Sequence, residues 1–192
     1  MTQIALLHSA LGIRAGITDA AARLEADGHE VEVVDYYGAG RVFDDYGEAS
    51  AFVDEIGFPE LMRRALAGCE GLADGFIAMG FSNGAGMAEH VALNRSVGGV
   101  VMASGALPLE MLGATRWPAG VRAQIHSAAG DAFRDQVWLD AVAAAVRGAA
   151  PLDLHDDYPG TGHLFTDESL PAEYDADAAA LFWDRVRAFC GR

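Results

Sequence analysis

The chain has no lysine: its 13 basic residues are all arginine, against 28 acidic residues, for a formal net charge of −15. A surface of that sign repels phosphate backbones and anionic headgroups, which argues against nucleic acid and acidic membranes as partners. Without lysine there is also no Gly-Lys-Ser/Thr phosphate loop. Cysteine is scarce. Cys69 and Cys190 are the only two and lie far apart, so neither a disulfide framework nor a zinc motif is expected, and a reducing cytoplasm is the natural setting. Long apolar runs are missing too. Nothing approaches the roughly 20 residues that cross a bilayer, and the start, Met1-Thr-Gln-Ile-Ala-Leu-Leu-His8, lacks the basic lead of a signal peptide. No internal repeat, low-complexity tract or linker interrupts the chain.

What is present is a hydrophobic fraction of 52% with 21% charged residues over 192 positions, enough to bury a core and consistent with one domain spanning residues 1–192. Its organising stretch is 75–94. Phe76, Ile77, Ala78 and Met79 suit a strand buried on both faces, and Ala85, Met87, Ala88, Val91 and Ala92 follow at helical spacing. Between them stands Gly80-Phe-Ser-Asn-Gly84. A Gly-x-Ser-x-Gly between strand and helix is the sequence form of a nucleophile elbow, with glycines where backbones crowd and serine at the corner. The plain alternative is a glycine-rich turn with an incidental serine.

The rest of the chain alternates. Ile4–His8 reads as a strand, Ile17–Glu25 as a helix ended by Gly28, and Val31–Asp35 as a strand. Residues 41–59 are acidic and partly aromatic without a clear period, and a helix from Pro59 reaches Leu66. Beyond the elbow come a strand at Val97–Met102 and an irregular segment, 104–120, that would roof a pocket. A strand at Val121–Ser127 and a helix at about 136–147 follow, then a strand at Leu152–Asp156, a turn-rich loop to His163 and a final helix at about 172–189. Strands and helices in alternation predict an α/β fold: a mostly parallel sheet with helices on both faces, in three layers. Active groups in such sheets gather in loops at the carboxyl ends of strands.

A serine hydroxyl needs a base, and the base an acid to orient it. His163, in Pro159-Gly-Thr-Gly-His163, is the one histidine of six in a loop free to reach the elbow. His8, His90, His126 and His155 lie in or beside regular elements, and His29 in a polar turn. Asp131 follows a strand and precedes a helix, with Asp135, Asp156 and Asp157 as competitors. The order Ser82, Asp131, His163 is that of an α/β-hydrolase triad. The backbone N–H of Asn83, and one from the loop after the first strand, with Ala10 favoured over Leu11, would meet an oxyanion.

Taken together, His8-Ser-Ala-Leu-Gly-Ile13, Asp35-Tyr-Tyr37, Gly80-Phe-Ser-Asn-Gly84, Gly130-Asp131 and Tyr158-Pro-Gly-Thr-Gly-His-Leu-Phe165 resemble the dienelactone hydrolase family of α/β-hydrolases over nearly the whole chain. The resemblance implies Ser82 as nucleophile, Asp131 as acid, His163 as base, and Ala10 with Asn83 as oxyanion donors. It differs at three positions. Serine replaces the cysteine of members suited to dienelactones, Ser9 replaces a glutamate linked to activating that cysteine, and Asp167 appears where the family has an arginine for the substrate carboxylate. An aspartate there would repel anions. The expectation is a serine hydrolase of a small neutral ester, lactone or thioester that needs neither metal nor cofactor, with oligomeric state, including a homo-oligomer, left open. The competing reading is a non-catalytic small-molecule binding module of the same fold. A dinucleotide site is disfavoured, since Gly84-x-Gly86 lacks the third glycine at position 89. Phe81, Tyr36, Tyr37, Trp117 and Phe165 are candidate pocket aromatics.

Overall fold

In the computed structural model, which describes residues 1–191, the apolar runs become strands and stack into one sheet. The strands are β1 (Gln3–Leu7), β2 (Glu30–Val34), β3 (Ile77–Phe81), β4 (Gly99–Ala103), β5 (Arg122–Ala128) and β6 (Leu152–Tyr158), with helices α1 (Ala15–Ala26), α2 (Tyr46–Ile56), α3 (Phe58–Gly68), α4 (Asn83–Asn94), α5 (Gln136–Arg147) and α6 (Ala176–Cys190). Every pairing is parallel, in the order β2-β1-β3-β4-β5-β6.

Central strands are apolar throughout because both faces are covered: every residue of β3 and β4 is buried. Alternate residues serve opposite layers. Ala5, Leu7, Ala78, Val100 and Met102 pack under α3, α4 and α5, while Ile4, Leu6, Ile77, Met79 and Val101 pack under α1 and α6. The chain winds from β1 outward to β2, then crosses to β3 on the other side of β1. That reversal places the loops after β1 and β3 next to each other, at the crevice where such sheets bind ligands.

Several boundaries differ from the sequence reading; β6, for one, runs on to Tyr158, two residues past the expected end at Asp156. Residues 41–59 contain a full helix, α2, capped by the Asp45 carboxylate accepting from Glu48 N. Ala49 is its one fully buried residue, with Phe52, Val53 and Ile56 half-buried against the core, so its apolar positions crowd into the second half and span too few turns to set a period. The last helix begins at Ala176 and not near 172, because Asp175 accepts from Ala178 N and caps it there. Both cysteines are buried and unpaired, and burial pushes each thiol up to about 11. No helix among the described residues is long and apolar enough to cross a membrane.

Candidate active site

The corner at Ser82 is built by close packing. A Cβ on Gly80 would lie 1.9 Å from Gly84 O, and one on Gly84 would lie 2.3 Å from His8 O and 2.4 Å from Leu7 O. Only glycine lets α4 start this close to β1 and β3. The strain falls on Ser82, held at φ 54°, ψ −117°, a conformation costly for any residue with a side chain. It turns the hydroxyl away from the sheet and over its carboxyl edge.

His163 arrives from the loop after β6 and Asp131 from the loop after β5. Nδ1 of His163 lies 2.7 Å from Asp131 Oδ2, and Nε2 lies 2.7 Å from Ser82 Oγ. A carboxylate only accepts, so Nδ1 carries the proton and donates it to Asp131, leaving Nε2 to accept from the serine hydroxyl. Asp131 Oδ1 accepts from Phe133 N at 2.8 Å, which fixes the carboxylate. Asp131 and His163 are 7% and 6% exposed, so their hydrogen bond lies in a low local dielectric. Phe133 and Tyr46 cover the imidazole at ring distances of 4.7 and 5.9 Å. The competing carboxylates are employed elsewhere: Asp135 caps α5, and Asp156 pairs with Arg134.

The loop after β1 is held by side chains that motif spacing does not reveal. His8, fully buried, turns Nδ1 to Ser9 O at 2.8 Å, and Gly12 N donates to the same carbonyl. Burial lowers the His8 pKa to about 4, so its imidazole is neutral at ordinary pH and Nδ1 is the donor. The Ser9 carbonyl shares its peptide plane with Ala10 N–H, so fixing one aims the other. Tyr37 OH adds a bond to Ala10 O at 2.9 Å, and Tyr36 OH one to His8 O at 2.6 Å. Ala10, Ser82, Asn83 and His163 line one cavity of about 200 Å³.

A larger cavity of about 450 Å³ also touches Ser82 and runs past Ser104–Leu107 to Phe58, Trp138 and Leu139. The irregular segment after β4 does form its wall. Buried Glu89 of α4 pins that wall, accepting from Leu107 N at 2.8 Å, and desolvation raises its pKa well above the usual range.

Several expectations are corrected here. None of Phe81, Tyr36, Tyr37, Trp117 and Phe165 lines either cavity at Ser82; all are buried in packing, and Phe58, Phe133 and Trp138 take the pocket role. Asp167 lines neither cavity at Ser82. It is 6% exposed, accepts from Ser169 N and Oγ, and packs against Gly16 at the start of α1. Ser9 is a turn residue, its hydroxyl accepting from Leu11 N.

The dienelactone hydrolase family profile matches residues 2–192. The chain belongs to the dienelactone hydrolase family. Solved structures with the same fold include a protein named m3DLH, 21% identical, with TM-score 0.79 over 97% of this chain and 84% of that one. Another is a dienelactone hydrolase-like promiscuous phosphotriesterase, P91, from metagenomic libraries, 21% identical, with TM-score 0.83 over 100% and 86%. A third is the mouse alpha/beta hydrolase domain-containing protein 10, 12% identical, with TM-score 0.66 over 97% and 88%. No match is found among curated proteins. The sheet order and the family together make this an α/β-hydrolase-fold hydrolase.

Proposed function

We propose that this dienelactone hydrolase family member cleaves small neutral esters, lactones or thioesters through an acyl-enzyme on Ser82. The observation that carries the reading is the unbroken line from Asp131 through His163 to Ser82, with 2.7 Å at each link. As Ser82 Oγ attacks the carbonyl carbon, Nε2 of His163 takes its proton, and Asp131 stabilises the imidazolium without itself becoming protonated. Charge collects on the former carbonyl oxygen. The N–H groups of Ala10 and Asn83, bordering the same small cavity, receive it. The tetrahedral intermediate collapses by expelling the leaving oxygen or sulfur, which collects the proton from Nε2. Water then enters, His163 takes its proton, and a second collapse frees the acid and restores Ser82.

Charge favours a neutral substrate. Around the larger cavity the ionisable groups are Asp131, Asp135 and Arg134, and the guanidinium is committed to Asp156 and Gln136. An anionic substrate would meet carboxylates and no free cation.

Labelling with an organophosphonate serine-hydrolase probe, read by intact mass, tests the assignment. Wild type takes up one probe per chain, and Ser82→Ala and His163→Ala abolish or sharply slow it. Failure of folded wild type to label, or labelling that survives Ser82→Ala, refutes the reading and favours a binding module. A neutral phosphotriester is a fitting second assay, since P91 is described as a promiscuous phosphotriesterase.

A further inference from the structure

Three serines stand side by side at the carboxyl edge of the sheet. Phe81 of β3 is in register with Ala103 of β4, and Ala103 with His126 of β5. The next residue on each strand is therefore Ser82, Ser104 and Ser127. The ladder continues through them, Ser82 N donating to Ala103 O at 2.7 Å and Ser104 N to His126 O at 2.8 Å. All three line the 450 Å³ cavity.

Ser127 is the unexplained member. It is 4% exposed, and its Oγ has no hydrogen-bond partner among the described residues. A buried hydroxyl left without a partner is costly, and native proteins rarely leave one so. Ser127 lines the cavity that also touches Ser82, with its hydroxyl just beneath the surface of that wall. The same cavity is lined by the apolar Leu107, Leu139 and Trp138 and by Asp131.

The two cavities also divide the substrate. His163 lines the smaller one and not the larger. The leaving atom must collect its proton from His163, so the leaving group departs on the smaller side and the acyl chain occupies the larger. We infer that Ser127 Oγ is the far end of the acyl site and donates a hydrogen bond to a neutral oxygen on the acyl chain. Rows of adjacent strands are roughly 4.8 Å apart, so Ser82 and Ser127 are separated by roughly 10 Å. A keto oxygen at the fourth carbon of a five-carbon acyl group reaches roughly 9 Å with its hydrogen bond included, and the two serine side chains close the remainder. The substrate class is thus an ester, lactone or thioester of an oxo- or alkoxy-substituted short acid, not of a plain fatty acid. This deepens the reading of Ser82 as nucleophile and rests on it.

The test is a matched pair, p-nitrophenyl 4-oxopentanoate and p-nitrophenyl 4-methylpentanoate, nearly equal in size, each rate divided by that ester's uncatalysed hydrolysis rate. Wild type should prefer the oxo ester in kcat/KM by about three- to tenfold, the range of one net hydrogen bond. Ser127→Ala should bring the ratio to near one, and Ser127→Thr, which keeps the hydroxyl, should preserve the preference. Turnover of both esters by wild type without preference, or a preference that Ser127→Ala leaves intact, overturns the Ser127 subsite while Ser82 chemistry stands. Absence of turnover and of a nitrophenolate burst with either ester overturns both.

Discussion

Glu89→Gln should make the protein more stable at neutral pH, by an amount that shrinks as the solution is acidified. Glu89 sits fully buried in α4, one oxygen accepting from Leu107 N at 2.8 Å and the other without a partner among the described residues. Burial raises its pKa well above the ordinary carboxylate range, opposed only by that single backbone hydrogen bond. The carboxyl is therefore protonated in the fold and ionised in the unfolded chain. A group whose pKa is raised by folding contributes fully below its unfolded pKa and loses that contribution as pH rises. Between the unfolded carboxyl's pKa and the raised folded one, linkage makes stability fall as pH rises, with a limiting slope of about 1.4 kcal/mol per unit. Glutamine has the same shape, still accepts from Leu107 N and cannot ionise. Urea unfolding of wild type and Glu89→Gln at pH 5.5, 6.5 and 7.5, above the sequence pI of about 4.5, should show a stability gap that widens with pH in favour of the variant, by at most about 1.4 kcal/mol per unit. A gap that stays constant over this range would mean that Glu89 is ionised in the fold, and would refute the reasoning.

Three further substitutions probe the site's supports. Tyr37→Phe removes the hydroxyl that holds Ala10 O at 2.9 Å; kcat on a p-nitrophenyl ester should fall by about three- to tenfold, the worth of one aligning bond, with KM little changed. Gly84→Ala puts a methyl 2.3 Å from one backbone oxygen and 2.4 Å from another, so thermal or urea unfolding should report a loss of about 3 kcal/mol or more. Wild-type stability in that variant would show that the elbow relaxes freely. Phe133→Ala uncovers His163 from a ring that is itself 60% exposed; kcat/KM should fall about fivefold while Tm moves by only about 1–2 °C, because a half-solvated ring adds little to folding. A large Tm loss would make Phe133 a core residue and not a cover.

The parts of the site legible from sequence are those whose geometry is local. Gly80-Phe-Ser-Asn-Gly84 states its own shape, because the glycines are required by contacts within a few residues and by one neighbouring strand. Asp131 and His163 were found by the same logic, as polar residues just past strand ends where an α/β sheet collects its chemistry. Helix α2 is hard to read because its apolar residues, Phe52, Val53 and Ile56, crowd into its second half and stay half-exposed. The aromatics misled for a related reason. Tyr36 and Tyr37 follow a strand end as pocket residues do, yet their rings turn inward, stacking on or edging against His8 at 3.9 and 4.6 Å. Their contribution to the site is made through hydroxyls that hold the loop carrying Ala10.

Ser127 marks the limit of local reading. Nothing within His126-Ser-Ala distinguishes that serine from any other, and its meaning appears only when β3, β4 and β5 are set in register. Register comes from long-range pairing of residues more than twenty positions apart in sequence, which neither composition nor spacing encodes. Glu89 is the intermediate case: a lone carboxylate on a helix face otherwise made of Gly84, Ala85, Met87, Ala88, Val91 and Ala92 is legible as an anomaly, and desolvation alone requires it to be protonated or paired. What the sequence cannot say is which backbone N–H it satisfies. That partner, Leu107, lines the same cavity as Ser127, so a buried acid in α4 and an unpartnered hydroxyl on β5 both bear on the wall of one cavity beside Ser82.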